Sequence, residues 1–359
     1  MKAAVFHAPH QPLTVEALDI DQPREGEALI RTVASGICHS DLHYIEGETA
    51  IGLPAVLGHE GAGIVESVGP GVAYVRPGDS VIVCISSFCG ACVRCLTGHP
   101  NLCEHRPRRA DGAPPRLTWR GNPVAQMGNL ATYADRMLVH ERNLYKVTHN
   151  VPLETAVLIS CGVMTGVGAV LNTARIEVGS TVAVIGVGGV GLAAVQGARI
   201  GGARQIIAVD LHEHKLRQAG GLGATHTVNA AERDPVRAIR ALTDGGVDYS
   251  FEAIGLQATM EQAFNCLRPG GLATVMGVPG PDVKIALEGR YFCSERKIQG
   301  CRMGSNRFRV DFPKLLDYYQ RGLLRLDEMV SRRLSLDQIN EGFRAMRAGE
   351  VARQVILYG

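Results

Sequence analysis

Apolar and polar positions divide this chain into two regimes. Through residue 83 the apolar runs are short and rich in β-branched residues, at 3–6, 27–34, 63–68 and 79–83, and the pairs Pro70-Gly71 and Pro77-Gly78 punctuate them. Runs of that length bounded by turn residues predict strands, and their spacing predicts a small, mostly antiparallel β domain that holds its loops rigidly. From about residue 165 strand-like and helix-like segments alternate. Strands are expected at 181–185, 205–210, 225–228, 247–254, 272–276 and 297–301, with helices at 192–200, 212–222, 234–242 and 257–267. Six strands joined by crossover helices make a doubly wound parallel sheet, so the fold class is α/β. After Met303 a helix is expected over 308–321, and the last apolar run, 352–357, reads as a strand returning to the first domain.

Residues 104–130 show no period. With Arg106, Arg108, Arg109 and prolines at 107, 114, 115 and 123 they read as a long surface loop, and it carries the single tryptophan, Trp119. The apolar stretches at 156–171 and 181–198 are broken by repeated glycines and read as buried α/β elements, not membrane spans.

Composition narrows the function classes. A length of 359 residues sets a prior of about two domains, and 46% hydrophobic with 20% charged residues is the balance of a soluble globular protein. A net charge of +2 gives no reason to expect nucleic acid or a membrane surface as partner. The first residues, Met1-Lys-Ala-Ala-Val-Phe-His, contain no apolar core of a signal peptide, which points to the cytoplasm. In that setting the 10 cysteines are read as thiols and metal ligands before disulfides.

Three stretches carry candidate chemistry. Gly36-Ile-Cys38-His39-Ser40-Asp41-Leu42-His43, followed by Gly58-His59-Glu60, gathers a thiol, imidazoles, a hydroxyl and carboxylates. Thiolate and neutral imidazole suit zinc, and a catalytic zinc takes three protein ligands with a fourth position open. Cys38 and His59 supply two, and Cys161 is the candidate third. The stretch is expected where a strand ends and a helix begins, with Ser40 or Asp41 as cap. Next, Cys89, Cys92, Cys95 and Cys103 lie at spacings of three, three and eight, enough to enclose a second, structural zinc with all four positions filled.

The third stretch is Gly186-Val-Gly188-Gly189-Val190-Gly191, set between an expected strand and an expected helix, with Asp210 closing the next strand. That context is what a dinucleotide fingerprint requires: glycines for the turn and for close approach of the pyrophosphate, and a helix N-terminus to face the anion. Asp210 would accept hydrogen bonds from ribose hydroxyls and repel a 2′-phosphate, which favours NAD over NADP.

With these motifs in this order, the sequence resembles the zinc-dependent medium-chain alcohol dehydrogenases over nearly its whole length. The resemblance implies a GroES-like β-rich catalytic domain at 1–162 with the zinc lobe at 89–103, a Rossmann NAD-binding domain at 163–302, and a segment, 303–359, that returns to the catalytic domain. It implies two zincs per chain, NAD, a small alcohol or aldehyde as substrate, and a homodimer or homotetramer. By the same resemblance Asp41 orients His59, Glu60 lies near the metal, His39 and Arg353 contact cofactor phosphates, Lys215 reaches the adenosine ribose, Thr165 packs against nicotinamide, and Ser40 and His43 carry a proton to solvent. A reductase acting on an activated C=C or C=N bond, or a non-catalytic NAD-binding structural protein, are the competing readings; complete ligand sets favour alcohol chemistry.

Overall fold

Glu27–Ile37 is an 11-residue strand buried along most of its length. In the computed structural model, which describes residues 1–359, it pairs antiparallel with Glu60–Val68, Arg136–His140 and Gln354–Leu357. Ser80–Val83 and Leu144–Lys146 extend this sheet on one side, and Arg332–Leu334 extends it beyond Gln354–Leu357 on the other. A second sheet orders Ala125–Gln126, Ala55–Val56, Lys2–Phe6 and Thr14–Ala17. Phe6, Ile37, Leu42, Val56, Tyr133 and Phe343 belong to one buried cluster, each large side chain contributing about 1.5–3 kcal/mol by leaving water. The C-terminal run at 354–357 therefore joins the first unit's ladder as expected, with Ile356 opposite Ser35.

The segment 104–130 differs from expectation. Leu117–Trp119 pairs with Asp19–Ile20 and with Asn122–Pro123 in a three-stranded sheet. Strands of two or three residues leave no periodic signal to read. Arg109 and Arg116 anchor the segment through a buried carboxylate: Glu27 accepts from Arg109 Nε at 2.9 Å and Nη2 at 2.7 Å, and from Arg116 Nε at 2.7 Å. Trp119 packs against the core cluster, its ring 5.1 Å from that of His7 and beneath the Arg120 guanidinium at 4.4 Å. It covers the core of the first unit.

The second unit is built on a six-stranded parallel sheet ordered His226–Asn229, Gln205–Asp210, Thr181–Ile185, Val247–Glu252, Leu267–Val275, Lys297–Gly300. All six expected strands and their crossover helices are present, with ends displaced by a few residues. The helix expected from 192 begins at Gly189, because glycines with poor helix propensity can still make its first turn. Gly162–Gly168 packs closely on that helix: a Cβ on Gly166 would lie 2.3 Å from the Val190 carbonyl oxygen. No single helix is long and apolar enough to cross a membrane.

The units comprise residues 1–161, 307–321 and 326–359, and residues 162–306 and 322–325. The C-terminal segment is thus interrupted, where an unbroken return of 303–359 was expected. Gly304 sits against the Met164 carbonyl and Gly168, and the Arg325 N–H donates to Gln196 Oε1 at 2.7 Å. Contacts more than a hundred residues away hold these two short pieces, so local pattern does not reveal them.

Glu27 supplies a test of how the first unit is held. Burial alone would raise its carboxyl, but hydrogen bonds from Arg109, the Arg24 N–H and Arg116 overcome it and bring it from 4.5 to about 2. A depressed carboxyl contributes stability that is present above pH 4.5 and lost as pH falls toward 2, here about 3 kcal/mol. Glu27→Gln should lower the urea midpoint at pH 7 by an amount matching about 2–3 kcal/mol, and the gap from the parent should close between pH 4 and 2. A gap that stays constant across that range would assign the effect to packing instead.

Candidate active site and metal centres

Two groups of ligand-type side chains converge in the first unit. In the lobe, Cys92 is the N-cap of the short helix Val93–Leu96 and Cys95 lies within it. The Sγ atoms are 3.9 Å apart for Cys89 and Cys95, 3.6 Å for Cys92 and Cys95 and 3.9 Å for Cys92 and Cys103, and all four lie within 4.8 Å of one another. Four sulfurs about 2.3 Å from a tetrahedral zinc are about 3.8 Å apart, so the donor set and its spacing fit the ion; none is disulfide-bonded. Backbone N–H groups already serve the sulfurs: Cys92 and Ala91 donate to Cys89 Sγ at 3.2 and 3.4 Å, and Cys89 donates to Cys103 Sγ at 3.2 Å. Led by the hydrogen bond from the Cys95 backbone, such donors bring the Cys92 thiol down to about 6, favouring the thiolate a metal needs.

The second group is Cys38, His59, Cys161 and Glu60, all buried, each with one ligand atom within 4.8 Å of the others. Cys38 follows the strand Glu27–Ile37 as N-cap of the helix His39–Ile45. Asp41, three residues on, turns its Oδ2 back to the Cys38 N–H at 3.3 Å. Cys38 thus caps where Ser40 or Asp41 was expected, because a carboxylate at the third helical position reaches back to the cap N–H. Glu60 opens the strand Glu60–Val68 with His59 immediately before it, and Cys161 follows the turn Val157–Ser160. His59 Nε2 lies 3.3 Å from Cys161 Sγ, while its Nδ1 faces Asp41 Oδ1 at 3.3 Å. A carboxylate on Nδ1 assigns the proton there and leaves the Nε2 lone pair for a metal.

Two glycines make these approaches fit. Gly36 stands opposite Glu60 in the ladder, and a Cβ there would fall 2.0 Å from Glu60 Oε2. Gly58, at φ +92°, would place a Cβ 2.8 Å from the Tyr133 nitrogen.

The charges are coupled. A hydrogen bond from Cys161 holds the Cys38 thiol well below its ordinary range against the burial that opposes it, and Cys161, as the donor, is pushed up. Burial lowers His59, but Asp41 and Cys38 outweigh it and raise the imidazole. Burial also lifts Glu60 to about 7 against the pull of Arg353. Arg353 is itself buried, and its Nη2 is ion-paired with Glu60. The guanidinium that the resemblance assigns to a cofactor phosphate is thus engaged by Glu60 in this structure.

Around this group, Ser40 Oγ lies 3.8 Å from Cys38 Sγ, and His43 Nδ1 is 2.5 Å from Glu48 Oε2. His39 is exposed at the first position of its helix. Reading the sequence missed Glu48, five residues after His43, and Tyr133, whose hydroxyl donates to Asp41 Oδ2 at 2.8 Å. Spacing could have suggested Glu48; nothing local suggests Tyr133.

In the second unit the glycine loop is built as a cradle. Gly186 has φ +85°, and a Cβ on Gly191 would lie 1.9 Å from the Gly186 carbonyl oxygen. Gly188 has nothing within 4 Å of where a Cβ would stand, an open place at the N-terminus of the 12-residue helix Gly189–Ile200, whose first turn holds Val190. Asp210 accepts from the Val187 N–H and from the His212 N–H, each at 3.0 Å. Those bonds fix the carboxylate beside the loop. Lys215 is half-buried in Glu213–Leu222, and Thr165 Oγ1 donates to Met303 Sδ at 3.6 Å. An open, glycine-lined helix terminus with an adjacent carboxylate fits a dinucleotide's pyrophosphate and ribose.

Residues 24–149 match the family model of the alcohol dehydrogenase GroES-like domain, and residues 189–321 that of the zinc-binding dehydrogenases. The NDMA-dependent alcohol dehydrogenase of Amycolatopsis methanolica is 38% identical, over 99% of this chain and 98% of its own. The S-(hydroxymethyl)glutathione dehydrogenase of Paracoccus denitrificans is also 38% identical, over 99% of each. The crystal structure of benzyl alcohol dehydrogenase from Acinetobacter calcoaceticus superposes with a TM-score of 0.93 at 34% identity, covering 100% of this chain and 99% of that one. Likeness of this extent, joined to two complete ligand sets, makes the chain a member of the zinc-dependent medium-chain alcohol dehydrogenase family and an oxidoreductase of that kind.

Proposed function

We propose that the protein reversibly oxidises a small primary or secondary alcohol, aromatic and allylic alcohols included, to the aldehyde or ketone with NAD as hydride acceptor. The observation that carries this reading is the convergence of Cys38, His59 and Cys161, three residues far apart in sequence, on one buried point with Asp41 behind His59. Zinc held there supplies Lewis acidity toward an oxygen ligand, and the nicotinamide supplies the hydride acceptor.

The remaining work falls to the chain. Ser40, beside Cys38 Sγ, is the hydroxyl that takes up the proton an alcohol must lose and passes it on. His43 carries the proton toward solvent: Glu48 on Nδ1 keeps the hydrogen there and leaves Nε2 as the acceptor. In the second unit the helix N-terminus at Gly188–Gly191 binds the pyrophosphate, and Asp210 selects NAD by accepting from ribose hydroxyls. The benzyl alcohol activity named for the Acinetobacter neighbour supports an aromatic substrate. The ten free cysteines support a reducing, cytoplasmic setting, and the family likeness supports a homodimer or homotetramer.

Metal analysis should find two zincs per chain. Cys38→Ala should retain one, lose turnover by more than about a thousandfold and melt as a folded protein; full activity in this variant would end the assignment. Replacing Asp210 with Gly should erode the NAD over NADP preference in kcat/KM by about tenfold or more, one lost charge-assisted contact being worth about 1.5–3 kcal/mol. Unchanged selectivity would remove Asp210 from cofactor choice.

A further inference from the structure

Asp41 is wholly buried and its ion-pair partner is His59. A carboxylate without solvent must have its lone pairs satisfied by the protein. Four donors do so: on Oδ1 the Gly58 N–H at 3.0 Å and His59 Nδ1 at 3.3 Å, and on Oδ2 the Cys38 N–H at 3.3 Å and the Tyr133 hydroxyl at 2.8 Å. The Tyr133 bond is the shortest of the four. It is also the one that comes from outside the two metal-ligand motifs.

We propose that Tyr133 is a positioning residue of the catalytic zinc site: its hydroxyl fixes the Asp41 carboxylate against His59 and thereby sets how tightly the site holds its metal. The inference rests on reading Cys38, His59 and Cys161 as the ligands of that zinc. Asp41 can turn about its carboxyl bond, and only donors on both oxygens stop it. Without the phenol, Oδ2 keeps one N–H at 3.3 Å, and Oδ1 is freer to leave His59 Nδ1.

Tyr133 is well placed to act as a fixed donor. Its N–H donates to the Leu57 carbonyl at 3.2 Å, its own carbonyl accepts from the Ala4 N–H at 2.8 Å, and the neighbouring Thr132 N–H donates to the Gly58 carbonyl at 3.1 Å. Its ring meets Phe343 edge-on at 6.0 Å between centroids. Gly58 lets the segment approach, since a Cβ there would strike Thr132 Oγ1 and the Tyr133 ring. Burial, and then the Asp41 charge, push the phenol's ionisation well above its usual range, so it remains a donor.

A second account is that the hydroxyl is only a buried polar group that needs an acceptor, in which case its loss would cost stability and nothing else. Tyr133→Phe separates the two because it keeps the ring against Phe343. The measurement is the release of zinc from the folded protein to 4-(2-pyridylazo)resorcinol, together with the visible spectrum of the cobalt-substituted enzyme. Outer partners of metal-bound histidines affect affinity by about 10–100-fold, and the variant should release one of its two zincs about tenfold faster. The lobe's zinc should be unchanged and the cobalt bands shifted. Tyr358→Phe is the control, since the Tyr358 hydroxyl donates to the Thr132 carbonyl at 3.0 Å and does not touch Asp41; it should release zinc like the parent. Parent-like release and spectrum in Tyr133→Phe would overturn the proposal whatever happens to the melting temperature, as would equal weakening by Tyr358→Phe. A parent protein that binds only the lobe's zinc would instead sink the ligand reading itself.

Discussion

A buried carboxylate is the constraint on which the first unit depends. Asp41 has no exposed surface, and leaving such a charge unpaired costs several kcal/mol. Its donors come from the start of a helix, the turn at Gly58-His59 and the segment around Tyr133. Those three pieces can meet only if the sheet around Glu27–Ile37 is assembled and the core containing Leu42, Leu57, Tyr133 and Phe343 is closed. The metal site and the core are therefore one structure. The same bonds that hold the carboxylate aim an imidazole at a point shared with two sulfurs.

Glycine makes that assembly sterically feasible at two places. Gly36 leaves room for the Glu60 carboxylate, which must cross its strand to reach Arg353, and Gly58 adopts a left-handed conformation that lets residues 132–133 pass close by. Any side chain at Gly36 would collide with the carboxylate, and one at Gly58 would be strained as well as crowded. Neither position offers a side chain to a ligand, though the Gly58 N–H holds Asp41. Both set the distances of groups that do.

How much could be read beforehand follows from sequence separation. The four lobe cysteines lie within 15 residues, and the glycine loop sits between a strand and a helix that each announce themselves, so both motifs were legible. Cys38 and His59 were legible because their residue types suit zinc, while Cys161 needed the family resemblance to become more than a candidate. The Glu27 anchor of Arg109 and Arg116, the engagement of Arg353 by Glu60 and the Tyr133 bond to Asp41 were not legible. Each joins residues about 80 or more positions apart, and no period or spacing marks such a pair. The short strands near Trp119 were missed for another reason: two or three residues cannot show alternation.

The two metal groups differ in how their donors are occupied, and that difference separates a structural site from a reactive one. In the lobe four sulfurs at near-tetrahedral spacing fill every position, so an ion there has nothing left to offer a substrate. In the buried group Cys38, His59 and Cys161 face one another, while the fourth, Glu60, is held by Arg353 in a desolvated ion pair. A carboxylate whose charge is already shared with a guanidinium is a poorer metal ligand than a free one. Removing Arg353 would leave the buried Glu60 without its ion-pair partner, which is costly for a desolvated charge.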